Sequence, residues 1–449
     1  MRIKQILIIV FVITISGFFG YRFGLSQSGQ FLKSVVEPGS MVSEVSYIVF
    51  TDGTNIYARN GMTGEIEFQG TDATTIIQST INSLGTNGGK IFIKEGTYLL
   101  TDTIYLNSRI ALDGVKGETE LTLVDNVNKN VLSTITTNNN YYITISNLKI
   151  NGNKQNNPVG LSGIYLWQTY FSRFENLQIT NNKGHGINIS ASSGNKSDVN
   201  LFVNNMINAN DGDGIHFERY AYGQKVISNT IFNNSIGIYV RDTAESIFTN
   251  NAIWENVRGF YSNYLSRSII EGNVIHDQRQ DGIEISGSDG YESWSLVIVG
   301  NMIRGNSQES AGNYDGIRLT RMKNSEVHDN IIDGIINGVN YHRYGIYELA
   351  TSFNNSIKNN YVKGSVTTSI LSLGSQTIVR NNYGYVTENS GTSTVINNQW
   401  VPHGLALTPS IVTLTSHSNV NVWVNDRNAT HFQIGVSSET VTVDWYAEV

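Results

Sequence analysis

The stretch Asn229-Thr-Ile-Phe-Asn-Asn-Ser-Ile-Gly-Ile-Tyr-Val-Arg241 is answered one unit later by Asn251-Ala-Ile-Trp-Glu-Asn-Val-Arg-Gly-Phe-Tyr-Ser-Asn263. In both, an Asn opens a short run, a second Asn follows five residues on, and a Gly leads an apolar–polar alternation. The Asn pattern recurs between Asn176 and Asn382, and the glycines that go with it stand at Gly163, Gly186, Gly214, Gly237, Gly259, Gly282, Gly316 and Gly345. Successive glycines lie 23, 28, 23, 22, 23, 34 and 29 residues apart. A recurring period in this range marks stacked repeats. Each unit carries two or three period-two runs and no helical pattern, so the units are coils of short strands. Stacked coil upon coil, they predict an all-β fold, a right-handed parallel β-helix over residues 71–400.

Composition narrows the rest. The net charge of −7 is too mildly acidic for a nucleic-acid binder, which shows a basic face, and nucleic acid is not expected as a partner. The absence of cysteine excludes disulfides, a thiolate nucleophile and a thiolate-ligated metal. The eight histidines show no zinc spacing. At the N-terminus, Arg2 and Lys4 precede an uncharged run from Ile6 to Gly20. Residues 1–22 therefore have the pattern of a signal peptide or a signal anchor, which predicts an exported chain, extracellular or at the cell surface. If uncleaved, the segment makes the membrane a partner. Residues 23–45 form a linker and 46–70 small strands separated by Gly/Asn turns.

Asp72 is placed to cap a helix with Ile76, Ile77, Ile81 and Leu84 on one face and Gly85 to end it. A solenoid exposes its apolar interior at each end, so such a cap is required. This helix, the strand in Asn87-Gly-Gly-Lys-Ile-Phe-Ile93 and the turn Gly96-Thr-Tyr98 resemble the opening of the pectate-lyase-like superfamily of right-handed parallel β-helices. With the repeats, the resemblance covers residues 70 to 400. It implies the fold and a polysaccharide partner, and it leaves the reaction open. Polysaccharide lyases, glycoside hydrolases, uronan epimerases, esterases and phage tailspikes share that fold. Residues 401–449 change rhythm to closely spaced strands, a small β-sandwich-like module that is marginal alone. It resembles C-terminal modules of phage and archaeal surface β-helices, which implies packing on the last coil or on its own copies, as in a homotrimer.

Coils of unusual length mark protruding loops. Ser190–Ser197 and Gly287–Trp294 each add about five residues at one corner, and Gln308–Tyr314 and Asn337–Arg343 lengthen another. The first two loops are four coils apart, so at ~4.8 Å per coil they bound a floor of roughly 19 Å, suited to an extended oligomer. Ile or Phe after each Gly should point inward and the next residue outward. The outward column is Tyr165, Asn188, His216, Tyr239, Tyr261, Glu284, Arg318 and Tyr347, with Glu218 and Arg241 in the column beyond. Rings among charged groups suit sugars, whose C–H faces stack while their hydroxyls need polar partners. A packing ladder of aromatics has the same pattern.

The residue before each Gly includes His185, Asp213, Arg258, Asp281 and Asp315. Asp213-Gly-Ile, Asp281-Gly-Ile and Asp315-Gly-Ile resemble the element that carries a catalytic acid in polygalacturonase-like hydrolases. The Arg-Ile-Lys partner of that family has no counterpart in the coils, and Asp also caps turns routinely. Glycoside hydrolysis needs two carboxyls about 5 to 5.5 Å apart, or 6.5 to 9.5 Å with water between. Asp281 with Asp315 and Glu284 meets the first spacing, and Asp213 with Glu218 or Asp242 the second. A lyase or epimerase needs a base and a group that stabilises an enolate, commonly Ca²⁺ or arginine. Arg318 and Arg321 offer that environment, and Asp211 with Asp213 offers oxygens to Ca²⁺, although no spacing is a recognised metal signature. The expected function is therefore cleavage or modification of an extracellular glycan on the Gly–Ile face, by a hydrolase or a lyase. Asp213, Glu218, Asp242, Asp281, Glu284 and Asp315 are the candidate acids and bases. His216, Tyr239, Arg241, Arg258, Tyr261, Arg318, Arg321 and Tyr347 are the candidate substrate contacts. The alternative is a non-catalytic surface or tailspike-like fibre that binds glycan.

Overall fold

The structure, a computed structural model, describes residues 45–159, 161–288 and 290–449. The expected signal or anchor segment and nearly all of the linker lie outside the described residues. No described helix is long and apolar enough to cross a membrane.

One turn of the chain runs through Ile215–Phe217, a corner at Ala221–Tyr222, then Lys225–Ile227 and Thr230–Phe232. Ile236–Ala244 begins the next turn. Successive turns pair parallel and in phase: Ile215 lies opposite Ile238, Lys225 opposite Ile247, and Thr230 opposite Ala252. The result is three long sheets. The Gly–Ile strands form one of 13 strands, and the other two have 15 and 11. A short sheet of four strands fills the corner after the Gly–Ile face in the early coils.

Alternation sends one side chain of each strand inward. Ile215, Phe217, Val226 and Ile231 are all fully buried, and inward rings stack between coils, as Phe174 on Phe202 at 5.1 Å between centroids. The repeated glycine has a steric cause. A Cβ on Gly237 would lie 2.5 Å from Ile253 Cγ2 and 2.6 Å from the Gly259 carbonyl oxygen, closer than real atoms approach.

The repeated asparagines do two jobs. In Asn204-Asn205 and Asn250-Asn251 the first residue takes a left-handed φ of 56°, which Asn tolerates better than most residues. The second turns inward and is buried. The buried members form a ladder: Asn205, Asn229, Asn251, Asn273 and Asn301 each donate from Nδ2 to the Oδ1 of the next at 2.9–3.0 Å. Each also donates its backbone N–H to that same oxygen, so the buried turn amides of these five rungs are paired. A second ladder runs Asn182, Asn210, Asn234, Asn256 and Gln278. It continues through Asn306 to the buried imidazole of His342, whose Nε2 accepts the Asn306 backbone N–H at 3.1 Å.

The expected cap is present. Helix Ala73–Ser83 is capped by Asp72, which accepts from the Thr74 and Thr75 amides, and it buries Ile76, Ile77 and Ile81. At the other end the boundary differs from the expected residue 401. Strand Glu388–Val395 pairs along its whole length with Val441–Glu448, so the C-terminal module begins near residue 388. Only Val395 of that strand is large and apolar, which hides it from the alternation signal. Two three-stranded antiparallel sheets enclose a separate core that includes Val395, Phe432, Ile434, Val443 and Trp445.

Candidate functional site

The outward column of the Gly–Ile sheet stands in register from Tyr165 through Asn188, His216, Tyr239, Tyr261, Glu284 and Arg318 to Tyr347. Each Asp-Gly-Ile turn hangs its carboxylate beside the outward residue three positions on. His216 Nδ1 lies 2.7 Å from Asp213 Oδ2, and Arg318 Nη1 lies 3.5 Å from Asp315 Oδ2. In the third turn the residue three on from Asp281 is Glu284, so like charges meet.

Around Asp213 the network is closed. His216 reaches Asp213 through Nδ1 and Glu218 through Nε2, at 2.7 and 3.1 Å. Arg241 donates to the other oxygen of Glu218 at 2.9 Å. Burial works against a charged imidazole, but the two carboxylates outweigh it and hold His216 above its ordinary pKa. Burial likewise pushes Asp213 up, yet the His185 and His216 contacts bring it below the usual carboxylate range. The His216 ring is sandwiched between His185 at 4.1 Å and Tyr239 at 4.5 Å. With both nitrogens engaged by carboxylates, His216 clamps Asp213 to Glu218 and has no free nitrogen with which to act as a base.

Around Asp281 the arrangement is open. Asp281 is 3% exposed. One carboxyl oxygen accepts the Asp315 backbone N–H at 2.7 Å. Burial first, then the charges of Asp315 and Glu284, push its pKa up to about 7. Asp315 is also raised by burial, against a two-pronged grip by Arg343 at 3.0 and 2.7 Å. Glu284 has a different environment. Its Oε2 lies 3.1 Å from Arg258 Nε, but the two atoms are misaligned and neither has a hydrogen-bond partner. Arg258 covers the Tyr261 ring, and Arg318 and Arg343 cover Tyr347.

Several expected residues lie elsewhere. Asp242 sits at the corner in a left-handed conformation, raised by burial against Arg219 and Arg241, and does not join Asp213 and Glu218. Arg321 is also a corner residue: its carbonyl accepts from Ser293, its Cβ would lie 3.1 Å from a Cβ on Gly287, and its charge acts on Glu292. Arg321 therefore does not stand beside Asp281 and Asp315. Asp211 is bound by Lys154 and Lys183 at 2.8 and 2.7 Å, so it does not pair with Asp213 around a cation. Arg343 and Tyr344 join the site without having been among the expected contacts, although the long Asn-to-Gly interval ending at Arg343 marks them. His185 stands in the column before the glycines, and its Nδ1 accepts the Asp213 N–H at 2.9 Å.

His185, Asp213 and His216 can bring three ligand atoms within 4.8 Å of one another. Two imidazoles suit a borderline metal rather than the oxygen-seeking Ca²⁺. His185 Nδ1 and both His216 nitrogens are engaged in hydrogen bonds, which an ion bound through those atoms would have to replace.

The two centres are three coils apart, roughly 14 Å at the coil spacing, with Tyr239 and Tyr261 between them. The lengthened loops both leave the same corner. Between them the nine-residue strands Ile236–Ala244 and Arg258–Ser266 span that corner, each bent there by a left-handed residue, Asp242 and Tyr264. A cavity of about 460 Å³ lies apart from these carboxylates, lined by residues that include Arg109, Asn138, Asn139 and Tyr142.

Residues 162–314, which hold both centres except for the last contacts of the second, match the family model described as a right handed beta helix region. The chain is a right-handed parallel β-helix protein. Solved β-helices superpose on most of it. The A-module of a mannuronan C-5 epimerase from Azotobacter vinelandii is 18% identical with a TM-score of 0.55, over 69% of this chain and 96% of that one. The enzymatically active domain of tailspike protein 2 from bacteriophage CBA120 is 14% identical with a TM-score of 0.54, over 86% and 69%. A DFA-IIIase from Arthrobacter chlorophenolicus, solved with GF2, is 12% identical with a TM-score of 0.51, over 67% and 95%. At these identities the likeness is one of fold. No curated protein matches the chain by sequence.

Proposed function

We propose that this protein is a glycan-modifying enzyme that holds an extended polysaccharide along the Gly–Ile face and acts on it at Asp281 and Glu284. The observation that carries the proposal is the contrast within that pair. Asp281, with a pKa of about 7, keeps a proton to give near neutral pH. Glu284 has no aligned hydrogen-bond donor, which leaves its carboxylate available as base or nucleophile. Neighbouring carboxyls whose environments differ in this way are the usual acid and base of glycoside hydrolysis, so hydrolysis is the reaction we favour. In this reading Arg258, Arg318 and Arg343 position the carboxyls, and Tyr239, Tyr261 and Tyr347, whose faces are covered by neighbouring rings or guanidinium groups, offer their edges and hydroxyls to sugars. The Asp213–His216–Glu218–Arg241 network, already saturated, serves recognition three coils away. The glycan-related names of two of the superposed structures, the epimerase and the DFA-IIIase, support the substrate class and not the reaction.

The test is a panel of neutral and uronate polysaccharides incubated with wild type, Asp281→Asn and Glu284→Gln. Reducing ends report hydrolysis, unsaturated-uronate absorbance reports elimination, and proton spectra of the polymer report epimerisation. New reducing ends from wild type, reduced at least about a hundredfold in either variant, are expected. Equal activity in all three proteins would move the chemistry away from this pair. Binding without any product would favour a non-catalytic glycan-binding rod, for which the saturated His216 network is the supporting observation.

A further inference from the structure

The C-terminal module has an outer face that the β-helix does not use. One of its sheets has the strand order Gln399–Pro402, His431–Val436, Val422–Arg427. Val401, Phe432, Ile434 and Val436 point into the module's core. By alternation Trp400, Gln433, Gly435, Trp423 and Asn425 point out. Trp423 and Trp400 are 45% and 40% exposed, on a sheet whose inner face is already satisfied.

Trp423 stands opposite Gly435. A Cβ at Gly435 would come within 2.3 Å of the indole Cε2 and 2.4 Å of Nε1, so the ring lies across the bare glycine backbone. Its Nε1 donates to Asn425 Oδ1 at 2.6 Å, and Asn425 Nδ2 donates in turn to Asn398 Oδ1 at 2.6 Å. Gln433, opposite Trp400, donates to the Asn398 carbonyl at 3.0 Å. The indole is thus fixed in plane by a chain of amides. The outward residues between the two indoles, Gln433, Gly435 and Asn425, are uncharged; beyond the bulge the exposed Asp426 stands opposite Gln433, and His431 stands opposite Pro402, whereas the Gly–Ile face is crowded with carboxylates and arginines. Trp400 and Trp423 flank the central strand and are offset by one residue pair along it. Strand spacing and rise put their Cα atoms roughly 12 Å apart, farther than one sugar ring reaches.

We propose that this face is a second glycan-binding platform, which takes neutral sugar chains by stacking rings on Trp423 and Trp400 while the amides serve their hydroxyls. Fixed aromatic planes supply contact area at low entropic cost, and the outward carboxylate of Asp426 beside them disfavours anionic uronates. The proposal does not depend on chemistry at Asp281.

The full chain should be tested for retention on insoluble cellulose, chitin and mannan, and in gels containing soluble galactomannan, xylan or polygalacturonate. Wild type should be retained by at least one neutral polysaccharide. Trp423→Ala and Trp400→Ala should each weaken that retention roughly tenfold. Trp423→Tyr, which keeps a ring, should retain most of it and guards against a folding artefact. Trp423→Ala should release product from a short soluble oligosaccharide as wild type does, which separates this platform from the proposed catalytic centre. Failure of every neutral polysaccharide to retain wild type would overturn the proposal, as would full retention by both alanine variants. Conversion of an oligomer to monomers by Trp423→Ala in sedimentation would also overturn it, because the face would then be a contact between copies.

Discussion

Asp281 carries a stability cost that its chemistry explains. A carboxyl whose folded pKa of about 7 exceeds its ordinary 3.8 binds its proton more tightly in the folded protein than in the unfolded chain. Its favourable contribution is complete below the unfolded value and is lost as pH rises through the folded one. Asp281→Asn, which keeps the shape and can still accept the Asp315 amide, should therefore melt at a higher temperature than wild type at pH 8. The two proteins should converge near pH 4. At about 1.4 kcal/mol per unit the gap at high pH is on the order of a few kcal/mol. Melting curves across that range check it, and equal curves at pH 8 would show that Asp281 ionises without penalty. The same substitution should abolish the activity proposed above, so the site gains function where it loses stability.

The asparagine ladder makes each coil's turn depend on the next. Asn273 accepts from both the backbone and the side chain of Asn251, and its own Nδ2 donates to the buried Phe248 carbonyl at 2.9 Å. Asn273→Ala strands all three groups and should cost roughly 3–5 kcal/mol in chemical denaturation. Ile275→Val in the same coil should cost about 1 kcal/mol. A comparable cost for the two would mean that the amides contribute no more than packing. His342 ends the second ladder with a group that burial drives down to a pKa of about 4. A lowered histidine withholds stability as pH falls from 6.5 through 4, because it must charge on unfolding. His342→Gln should flatten that part of the stability profile, as followed by circular dichroism. The coil period, the inward Ile and the outward column are legible in the amino-acid pattern because period two fixes which face each residue takes. The role of His342 is not, since it stands where the rhythm would put an Asn and is displaced by a long loop. The direction of Asp281 is equally hidden. Spacing along the chain places it three residues from Glu284 but does not say that the aspartate before each glycine turns toward the outward column.

Among the described residues two separate hydrophobic cores stand apart, one in the β-helix and one in the C-terminal module. The joint between them is thin: the Ala406 and Val449 amides donate to the Val386 and Thr387 carbonyls, and Arg380 pairs with Glu448. The smaller core should melt first. Trp400, Trp423 and Trp445 report on the module and Trp167, Trp254 and Trp294 on the coils. Fluorescence of Trp→Phe sets that retain one group or the other should show two transitions, and coincident curves would show a single cooperative unit. At this scale the fold is legible from the repeat, whereas the module's first strand, Glu388–Val395, is not, because its Ser/Thr alternation lacks an apolar face. The ladder has one more consequence. Since every rung is bonded to the next by the same pattern, a duplicate of residues 229–250 could be spliced in and find its partners ready on both sides. Such an insertion would slide the His216 centre away from Asp281 by one rung, ~4.8 Å, without altering either. The β-helix would then act as an adjustable ruler, and the shortest oligosaccharide that engages both centres should lengthen in step.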